Sequence, residues 1–346
     1  MGESAKTVLT RQLGKDDAEA FDAFVRASPY AACQQARAWA ENAPRTSRHD
    51  YLYFLCGDDS GAVIGAAVIR RSRLAPGAAL ATVQRGPVVA EPGRLAPVLI
   101  ALKDALRDAG FSTLVVGPRF TGEERQEAEA DLGRCGFRAL PASSQSLHIV
   151  TGKIPLQASE DDILASFKQR GRRSIRKVAS GGVTVREAAA ADLSACRALI
   201  EEFHARRPGY DAAGQLGLDA QARLIEAEGG AMLVAEAGGR IVGYHSFVRQ
   251  GQSAIWIAMA TDDDPQAPRS YLLLWEAVRR ARALGLASYD LAGLCGDEEA
   301  TGRDQFKQAF APVREELLPA HFAALRPLRH AIFFTARHIY RGRRKR

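Results

Sequence analysis

The sequence predicts an α+β protein in which two units of similar plan follow one another. The first observation is length, because 346 residues exceed what one ordinary hydrophobic core organises. The second is composition, because 47% hydrophobic and 25% charged residues are typical of a globular protein. The third is order: helical and β-rich patterns alternate in a similar sequence before and after residue 150.

In the first half, the pattern predicts helix, strands, helix, strand, helix and strand. Residues 15–27 carry apolar side chains at helical spacing, and residues 50–73 hold two β-rich runs around a turn, which is a hairpin pattern. A third strand runs into Arg85-Gly86-Pro87. The remaining predicted elements are a helix at 95–110, a strand at 111–120, a helix at 123–136 and a strand at 143–152.

The second half repeats this plan. The predicted elements are a strand at 183–188, helices at 190–207 and 221–230, three β runs between 231 and 261, a helix at 271–285 and a strand at 288–294. The β runs meet at Gly238-Gly239 and Gln250-Gly251, both tight-turn signatures. This is the order of the acetyltransferase-like GNAT fold. We therefore predict an α+β fold of two tandem GNAT-like domains, with mixed sheets flanked by helices.

The segment from Ser159 to Gly182 is predicted to be one helix. Ser159 is a candidate N-cap, acidic residues fill the first turn, and two glycines supply the stop. Away from its apolar stripe lies a basic block that no acid interrupts. Repulsion between like charges four residues apart makes such a block costly without an anionic partner, although a solvated surface is the alternative. The block comprises Lys168, Arg170, Arg172, Arg173, Arg176 and Lys177.

Charge and cysteine content narrow the class of protein. The net charge of +7 favours an anionic partner, and five scattered cysteines without a CxxC motif predict neither disulfides nor a metal site. The N-terminus has no signal-peptide core, and no apolar run approaches the ~20 residues that span a bilayer. We therefore expect a cytoplasmic protein that is able to touch the inner membrane face.

Five separated motifs occur in a characteristic order. They are Gln35 with Trp39, the triplet Arg85-Gly86-Pro87, and the stretches RSIRKVASGGVTVRE, LLLWEAVRRARALGLASYDLAGL and QFKQAF. In this order they resemble the Fem family, the aminoacyl-tRNA-dependent transferases of peptidoglycan interpeptide bridges. The resemblance implies a first GNAT-like domain at 1–150, a second at 151–315, and a segment at 316–346 that packs back on the first. It also implies that an amino acid moves from aminoacyl-tRNA to an amine of a peptide or peptidoglycan precursor.

The turn before the helix at 271–285 argues against a CoA cofactor. A CoA-dependent GNAT enzyme needs a glycine-containing turn here, so that backbone N–H groups cradle the pyrophosphate. The sequence has DDDPQAPRS instead, with no glycine and three aspartates that repel a pyrophosphate. We therefore predict no cofactor, with aminoacyl-tRNA as the co-substrate that the resemblance implies.

Transfer of an aminoacyl group from an ester to an amine is downhill, so the enzyme mainly aligns the reactants and stabilises an oxyanion. A cation in a cleft suits this task better than a nucleophile, and no Ser-His-Asp or Cys-His arrangement is recognisable. Lys307 is the catalytic candidate, because Phe306 and Phe310 could anchor its segment and aim the ammonium at a cleft. A surface lysine between two core phenylalanines is the alternative.

Seven further residues are candidates for substrate binding: Trp39, Arg85, Arg206, Tyr210, Trp256, Tyr289 and Asp290. Arg206 and Tyr210 share an Arg-x-x-x-Tyr spacing that the resemblance links to a nucleotide-linked substrate. Trp256 is either a core aromatic or a platform in a cleft. Tyr289 and Asp290 end a strand where GNAT folds line the acceptor cleft, or else make a structural hydrogen bond. The candidates for binding tRNA or phosphate are Lys168, Arg172, Arg173, Arg176 and Lys177.

Two departures from the family pattern leave the acceptor open. Glu41 to Ala43 follow Trp39, where the family often has a lysine for the precursor's phosphates, and neutral residues 88–90 stand where it often has an acidic pair. The acceptor is therefore either a muropeptide or another peptide amine. Two other functions remain as alternatives: an acyl-CoA-dependent GNAT N-acyltransferase, and a non-catalytic basic module that binds nucleic acid or membrane.

The C-terminal tail joins a short apolar stretch to a basic end. Its basic residues are Arg337, Arg341, Arg343, Arg344, Lys345 and Arg346. Such a tail can grip tRNA phosphate or anionic lipid, at about 1 kcal/mol per basic residue near a charged membrane. A solubilising, disordered tail is the alternative.

Overall fold

The computed structural model describes residues 7–46, 49–75, 78–145, 147–206, 216–262, 264–294 and 302–330. The chain divides into two compact units. The first contains the described parts of Met1–Ile149 and Glu316–Arg346, and the second contains those of Val150–Glu315. Among the described residues, no helix is long and apolar enough to span a membrane.

The first unit is one sheet between two sets of helices. Its helices are α1 (Lys15–Ala27), α2 (Arg37–Asn42), α3 (Leu95–Asp108) and α4 (Gly122–Arg134). Its strands are β1 (Thr7–Thr10), β2 (His49–Gly57), β3 (Val63–Ala75), β4 (Ala78–Val83), β5 (Val88–Val89), β6 (Thr113–Val116), β7 (Arg138–Ala139) and, last in the chain, β15 (His321–Ala324). The strand order is β1-β2-β3-β4-β6-β15-β7, with β5 paired to β3. The C-terminal strand β15 thus lies between β6 and β7.

The second unit is a sheet with helices on both faces. Its strands are β8 (Val150–Pro155), β9 (Thr184–Glu187), β10 (Gly230–Ala237), β11 (Arg240–Gln250), β12 (Ser253–Thr261), β13 (Ser288–Gly293) and β14 (Val313–Glu316), in the order β14-β8-β13-β12-β11-β10-β9. Its helices are α5 (Glu160–Ser166), α6 (Gln169–Ser180), α7 (Leu193–Ala205), α8 (Leu218–Glu228), α9 (Arg269–Ala283) and α10 (Gly302–Gln308). The core on one face joins α5, α6 and α9, and the core on the other joins α7 and α8.

The helix predicted from Ser159 to Gly182 is in fact two helices, so that prediction was wrong at one point. Ser159 caps α5 by accepting the N–H of Asp162 at 3.1 Å. The chain then extends at Phe167 and Lys168, with ψ of 151° at each, before α6 begins. The buried Phe167 ring packs on the Phe310 ring at 4.9 Å between centroids, and this tertiary contact outweighs the local preference for one helix.

Arg172 stabilises this break. Its Nη1 donates to the carbonyl oxygen of Ala165 at 2.9 Å and also to that of Phe167. These carbonyl groups lie at the end of α5, where the last C=O groups of a helix have no hydrogen-bond partner within the helix. Arg172 therefore belongs partly to the fold, and replacing it is expected to cost stability, contrary to what the uniform basic block indicated.

The predicted element order is otherwise confirmed, with differences at the ends of elements. The strand expected at 143–152 begins only at Val150, because residues 142–144 form a 3₁₀ turn. The short strands β1, β5, β7, β14 and β15 were not predicted. Each has two to four residues, too few for a periodic signal, and is defined by its pairing partners.

Candidate functional site

The second unit contains an opening between two neighbouring strands. The nine-residue strand β12 pairs with the parallel strand β13 only through Ser253, Ala254 and Ile255. Beyond that point β12 remains paired with β11, while β13 remains paired with β8. Ile257 is an extra residue on β12, because Ser246 pairs with Ala258 and Phe247 with Trp256; such a bulge bends a strand. We call the resulting opening, bordered by residues 256–261 and the end of β13, the strand gap.

Lys307 lies at the end of β13 beside this gap. Only 5% of the residue is exposed, and Nζ donates to the carbonyl oxygen of Gly293, the last residue of β13, at 2.7 Å. The same Nζ lies 5.3 Å from the ring centroid of Trp256, the first residue of β12 inside the gap. The ammonium is thus held in place by a carbonyl dipole and by the face of an aromatic ring.

The two phenylalanines around Lys307 pack on the core, as the sequence predicted. Phe310 is 1% exposed and stacks on Tyr271, at 5.8 Å between ring centroids. Phe306 is partly buried and contacts both Tyr271 and Trp256 edge to face. Because α10 is fixed on both sides of Lys307, the ammonium has a defined position.

Tyr289 and Asp290, both predicted to bind substrate, are buried inside the unit. The prediction that they end a strand was wrong, because they are the second and third residues of β13. The Tyr289 hydroxyl lies 2.5 Å from Nε2 of His245, a partner that the sequence did not indicate. The Asp290 carboxylate accepts the hydroxyl of Thr151 and the N–H of Ala292, at 2.8 Å for the latter. Ala292 has φ of 58°, a left-handed conformation unusual for a non-glycine residue. Asp290 therefore shapes the end of β13 from which Gly293 meets Lys307.

Burial of His245 makes the stability of the protein depend on pH. Burial lowers the pKa of His245 from 6.5 to about 3. The unfolded chain therefore binds more protons between these values, so the stability contribution is complete above 6.5 and is lost as pH falls. As the pH is lowered from 7 to 5, we expect the titration of this histidine in the unfolded chain to decrease the free energy of unfolding by about 2 kcal/mol.

Urea unfolding at several pH values tests this expectation. In His245→Gln the amide can still hydrogen-bond the Tyr289 hydroxyl but does not titrate, so the loss of stability toward pH 5 should be smaller by that amount. Equal pH slopes for the two proteins would show that His245 does not govern acid stability.

Arg206 reaches the far end of the strand gap. Its Nη2 donates to the carbonyl oxygen of Thr261, the last residue of β12, at 2.9 Å, and Nη1 lies 3.8 Å from Glu202. Its predicted companion Tyr210 lies outside the described residues. Trp256 is half-buried, consistent with both a packed ring and an accessible edge.

The N-terminus of α9 begins with an arginine held by aspartates. Arg269 Nη2 donates to Asp264 at 2.9 Å, and its Nε lies 3.5 Å from Asp262. Burial raises the pKa of Asp262, an effect that Arg269 opposes. A pyrophosphate at this helix end would meet these carboxylates, and the described part of the turn has no glycine whose backbone could cradle it.

The basic residues of α6 form an exposed surface that we call the basic face. It consists of Lys168, Arg170, Arg173, Arg176 and Lys177, with Arg172 half-buried beside them. Within the described part of the chain, no carboxylate forms an ion pair with any of these side chains. Part of this face lines a surface concavity together with Gln169 and Ser180. The face can therefore accept an anionic partner without first breaking an ion pair to a described acid.

Trp39 and Arg85 belong to the first unit. Trp39 lies half-buried on α2, whereas Arg85 is 5% exposed, has φ of 57°, and donates to the carbonyl oxygen of His148 at 2.6 Å. Gln35 is fully buried and binds the backbone at Gln84 and Val68. A Cβ at Gly86 would lie 2.7 Å from the Gln35 side chain, so the Gln35 and Arg85-Gly86 motifs meet in the fold.

The structure thus brings Lys307 and Trp256 together at the strand gap, whereas Tyr289 and Asp290 are buried on β13. Among the described residues, no group of three His, Cys, Asp or Glu side chains could hold a metal ion. Sequence reasoning missed His245 and Arg269, because their partners are defined by strand pairing and by a turn rather than by spacing. From the sequence, the aspartates around Arg269 indicate only repulsion of a pyrophosphate.

Comparison with known proteins agrees with the fold described above. Residues 165–308 match the model of an acetyltransferase (GNAT) domain. The crystal structure of FemX superposes with a TM-score of 0.79 at 15% identity, covering 94% of this chain and 99% of that one. No curated protein sequence matches.

Two further solved structures share the fold. The C-terminal domain of a putative lysylphosphatidylglycerol synthetase from Agrobacterium fabrum has a TM-score of 0.57 at 14% identity, with 94% of this chain and 96% of that one covered. L-PGS from Bacillus licheniformis has a TM-score of 0.58 at 12% identity, with 95% and 99% covered. The predicted tandem GNAT-like fold, similar to that of FemX, is confirmed. Acyl transfer is the class of reaction that the matching domain model names.

Proposed function

We propose that the protein is an aminoacyltransferase that moves an amino acid from aminoacyl-tRNA to an amine of a peptide or peptidoglycan-precursor acceptor. One observation carries the proposal. The basic face begins at Lys168, whose backbone N–H donates to the carbonyl oxygen of Ala309 at 3.0 Å, two residues from Lys307. A polyanion bound along α6 would therefore end close to the ammonium at the strand gap.

Aminoacyl transfer to an amine requires stabilisation of an oxyanion, and the site has a cation for this task. The acceptor amine attacks the ester carbonyl of the aminoacyl-tRNA, the carbonyl oxygen becomes an oxyanion, and the C–O bond to the ribose then breaks. The ribose hydroxyl leaves with a proton, and the nitrogen loses one as the amide forms. The Lys307 ammonium is the group that stabilises the oxyanion or a neighbouring phosphate, since fixed cations act most strongly where water is excluded. Trp256 and Arg206 border the space in which the reactants meet.

The charge of the basic face supports the proposed class of substrate. The basic face suits the phosphates of tRNA, which neutralise its repulsion. The likeness to lysylphosphatidylglycerol synthetase structures adds an anionic lipid as an alternative acceptor to test; its headgroup hydroxyl, in place of the amine, would attack the ester and form a new ester. The C-terminal basic residues, which lie outside the described residues, could serve the same anionic surfaces.

A transfer assay tests the proposal. The protein is incubated with a pool of aminoacyl-tRNAs carrying labelled amino acids and with three acceptor classes: a muropeptide precursor, an unrelated peptide amine and vesicles containing phosphatidylglycerol. We expect label to move to a peptide amine from charged tRNA only, and not from free amino acid. Label that stays on tRNA with every acceptor, while acetyl-CoA supports acylation, would establish the competing N-acyltransferase function.

The competing function gives a separate prediction about CoA. The acetyltransferase domain match favours CoA, whereas the carboxylates around Arg269 and the glycine-free described turn oppose a pyrophosphate there. We expect isothermal titration with acetyl-CoA to give no saturable heat at micromolar protein. Micromolar binding that Arg269→Ala abolishes would place CoA at the N-terminus of α9 and contradict the proposal.

A further inference from the structure

The backbone at the start of α6 is hydrogen-bonded to the segment that carries Lys307. The N–H of Lys168 donates to the carbonyl oxygen of Ala309 at 3.0 Å. A Cβ at Gly171 would lie only 2.7 Å from the same oxygen, so the absence of a side chain at Gly171 permits this approach. The Ala309 carbonyl is thus held between two backbone positions one helical turn apart.

The same segment is held from its other side by aromatic packing. Phe310 contacts Phe167, the residue before Lys168, at 4.9 Å between ring centroids. Lys307, two residues before Ala309, bridges to Gly293 and lies over Trp256. A shift of the Ala309 carbonyl away from α6 would therefore move Lys307 relative to the Trp256 ring.

We infer that the first turn of α6 is a positioning element for Lys307, acting through the Lys168 N–H and Gly171 on the Ala309 carbonyl. Polyanion binding on the basic face and the placement of the Lys307 ammonium then share one backbone hydrogen bond. The effect of this positioning on catalysis rests on the proposed function, whereas the position of Lys307 itself does not.

A pair of substitutions at one residue isolates the hydrogen bond. Lys168→Ala removes the charge but keeps the N–H, whereas Lys168→Pro removes both. Proline fits the local backbone, because Lys168 has φ of −60° and Phe167 before it is extended. The difference between these two variants therefore reports the bond to Ala309 alone. Gly171→Ala pushes on the same carbonyl by another route, and Gly181→Ala, at the other end of α6 with nothing nearer than 3.4 Å, is its matched control.

Tryptophan fluorescence reads the position of Lys307 without any assay of activity. Trp275 packs on Phe167, beside the substituted residues, at 5.6 Å between ring centroids, so every protein in this test carries Trp275→Phe. In that background the difference spectrum with and without Lys307→Ala reports the effect of the ammonium on Trp256. We expect Lys168→Pro and Gly171→Ala to reproduce part of that difference, and Lys168→Ala and Gly181→Ala to show none of it. If Lys168→Pro matches Lys168→Ala and Gly171→Ala matches wild type, the inference is wrong, whatever the protein catalyses.

Turnover provides the second measurement. In the transfer assay we expect Lys168→Pro to be about tenfold slower than Lys168→Ala, because sub-ångström misplacement of a catalytic group is costly. In a Lys307→Ala background the two should turn over equally, since the positioned group is gone. An equal ratio in both backgrounds would mean that the bond serves stability alone. If the fluorescence differences occur but neither wild type nor any variant transfers an amino acid, the proposed function is wrong. The positioning of Lys307 by the first turn of α6 would still stand.

Discussion

Replacing Lys307 with glutamine is expected to lower the rate of aminoacyl transfer by about 10²- to 10³-fold. The reason is that the proposed function places the reacting ester beside this buried cation, and a single oxyanion-stabilising donor contributes ~2.7–4 kcal/mol to the transition state. Glutamine can still donate to the carbonyl oxygen of Gly293, so the variant separates charge from hydrogen bonding. Single-turnover kinetics with labelled aminoacyl-tRNA measures the effect on chemistry apart from binding.

The control for this prediction lies on the same helix. Arg303 is exposed on α10, so Arg303→Gln removes an equal charge without touching the strand gap and should leave turnover unchanged. Lys307→Ala is expected to lose a similar rate, and thermal unfolding of each variant excludes loss of folding. Turnover of Lys307→Gln within about twofold of wild type would remove Lys307 from the catalytic machinery, because even a modest transition-state contact is worth more than that.

Neutralising the basic face is expected to weaken tRNA binding and to flatten its salt dependence. Each phosphate that a cation neutralises releases counterions, so the logarithm of affinity falls by ~0.7–0.9 per contact for each unit of log salt concentration. The double variant Arg173→Gln/Arg176→Gln should therefore reduce the slope by about 1.4–1.8. Both side chains are exposed and make no ion pair with a described acid, so the fold should be unaffected. Filter binding of tRNA at several salt concentrations measures both quantities.

The choice of arginines matters for this experiment. Arg172 donates to carbonyl oxygens at the end of α5, so its replacement would mix lost stability with lost binding. Arg138 and Arg240 are exposed in other parts of the chain, and their double replacement with glutamine is the charge-matched control. Identical slopes for the basic-face variant and wild type would show that α6 is a solvated surface. The C-terminal arginines would then be the next candidates for the tRNA contact.

Much of the architecture could be predicted because its signals are local. Helical spacing, turn glycines and β-rich runs lie within a few residues of one another, so α1, α3, α4 and the meander of β10 to β12 were recognised. The glycine-free turn before α9 and the uninterrupted basic block are likewise properties of adjacent residues. Lys307 could be singled out because Phe306 and Phe310 flank it, and the placement of both rings on the core agrees with that reasoning.

What sequence reasoning could not reach depends on residues that are distant along the chain. The break before α6 could not be recognised within residues 159–182. Arg172 supports it locally, but Phe167 and Lys168 are held there by Phe310 and Ala309, more than a hundred positions away. The Tyr289–His245 pair likewise requires the strand order of the sheet.

The sequence by itself determined the class of fold, the order of most of its elements and the presence of an uninterrupted basic block. Tertiary structure alone decided where the candidate site lies. The strand gap exists because β12 and β13 part after three paired residues, and Lys307 lies there because the Gly293 carbonyl and the Trp256 ring meet its ammonium. The physical reason is that periodicity records which face of an element is buried, whereas a site is made by the distances between elements, which only packing fixes.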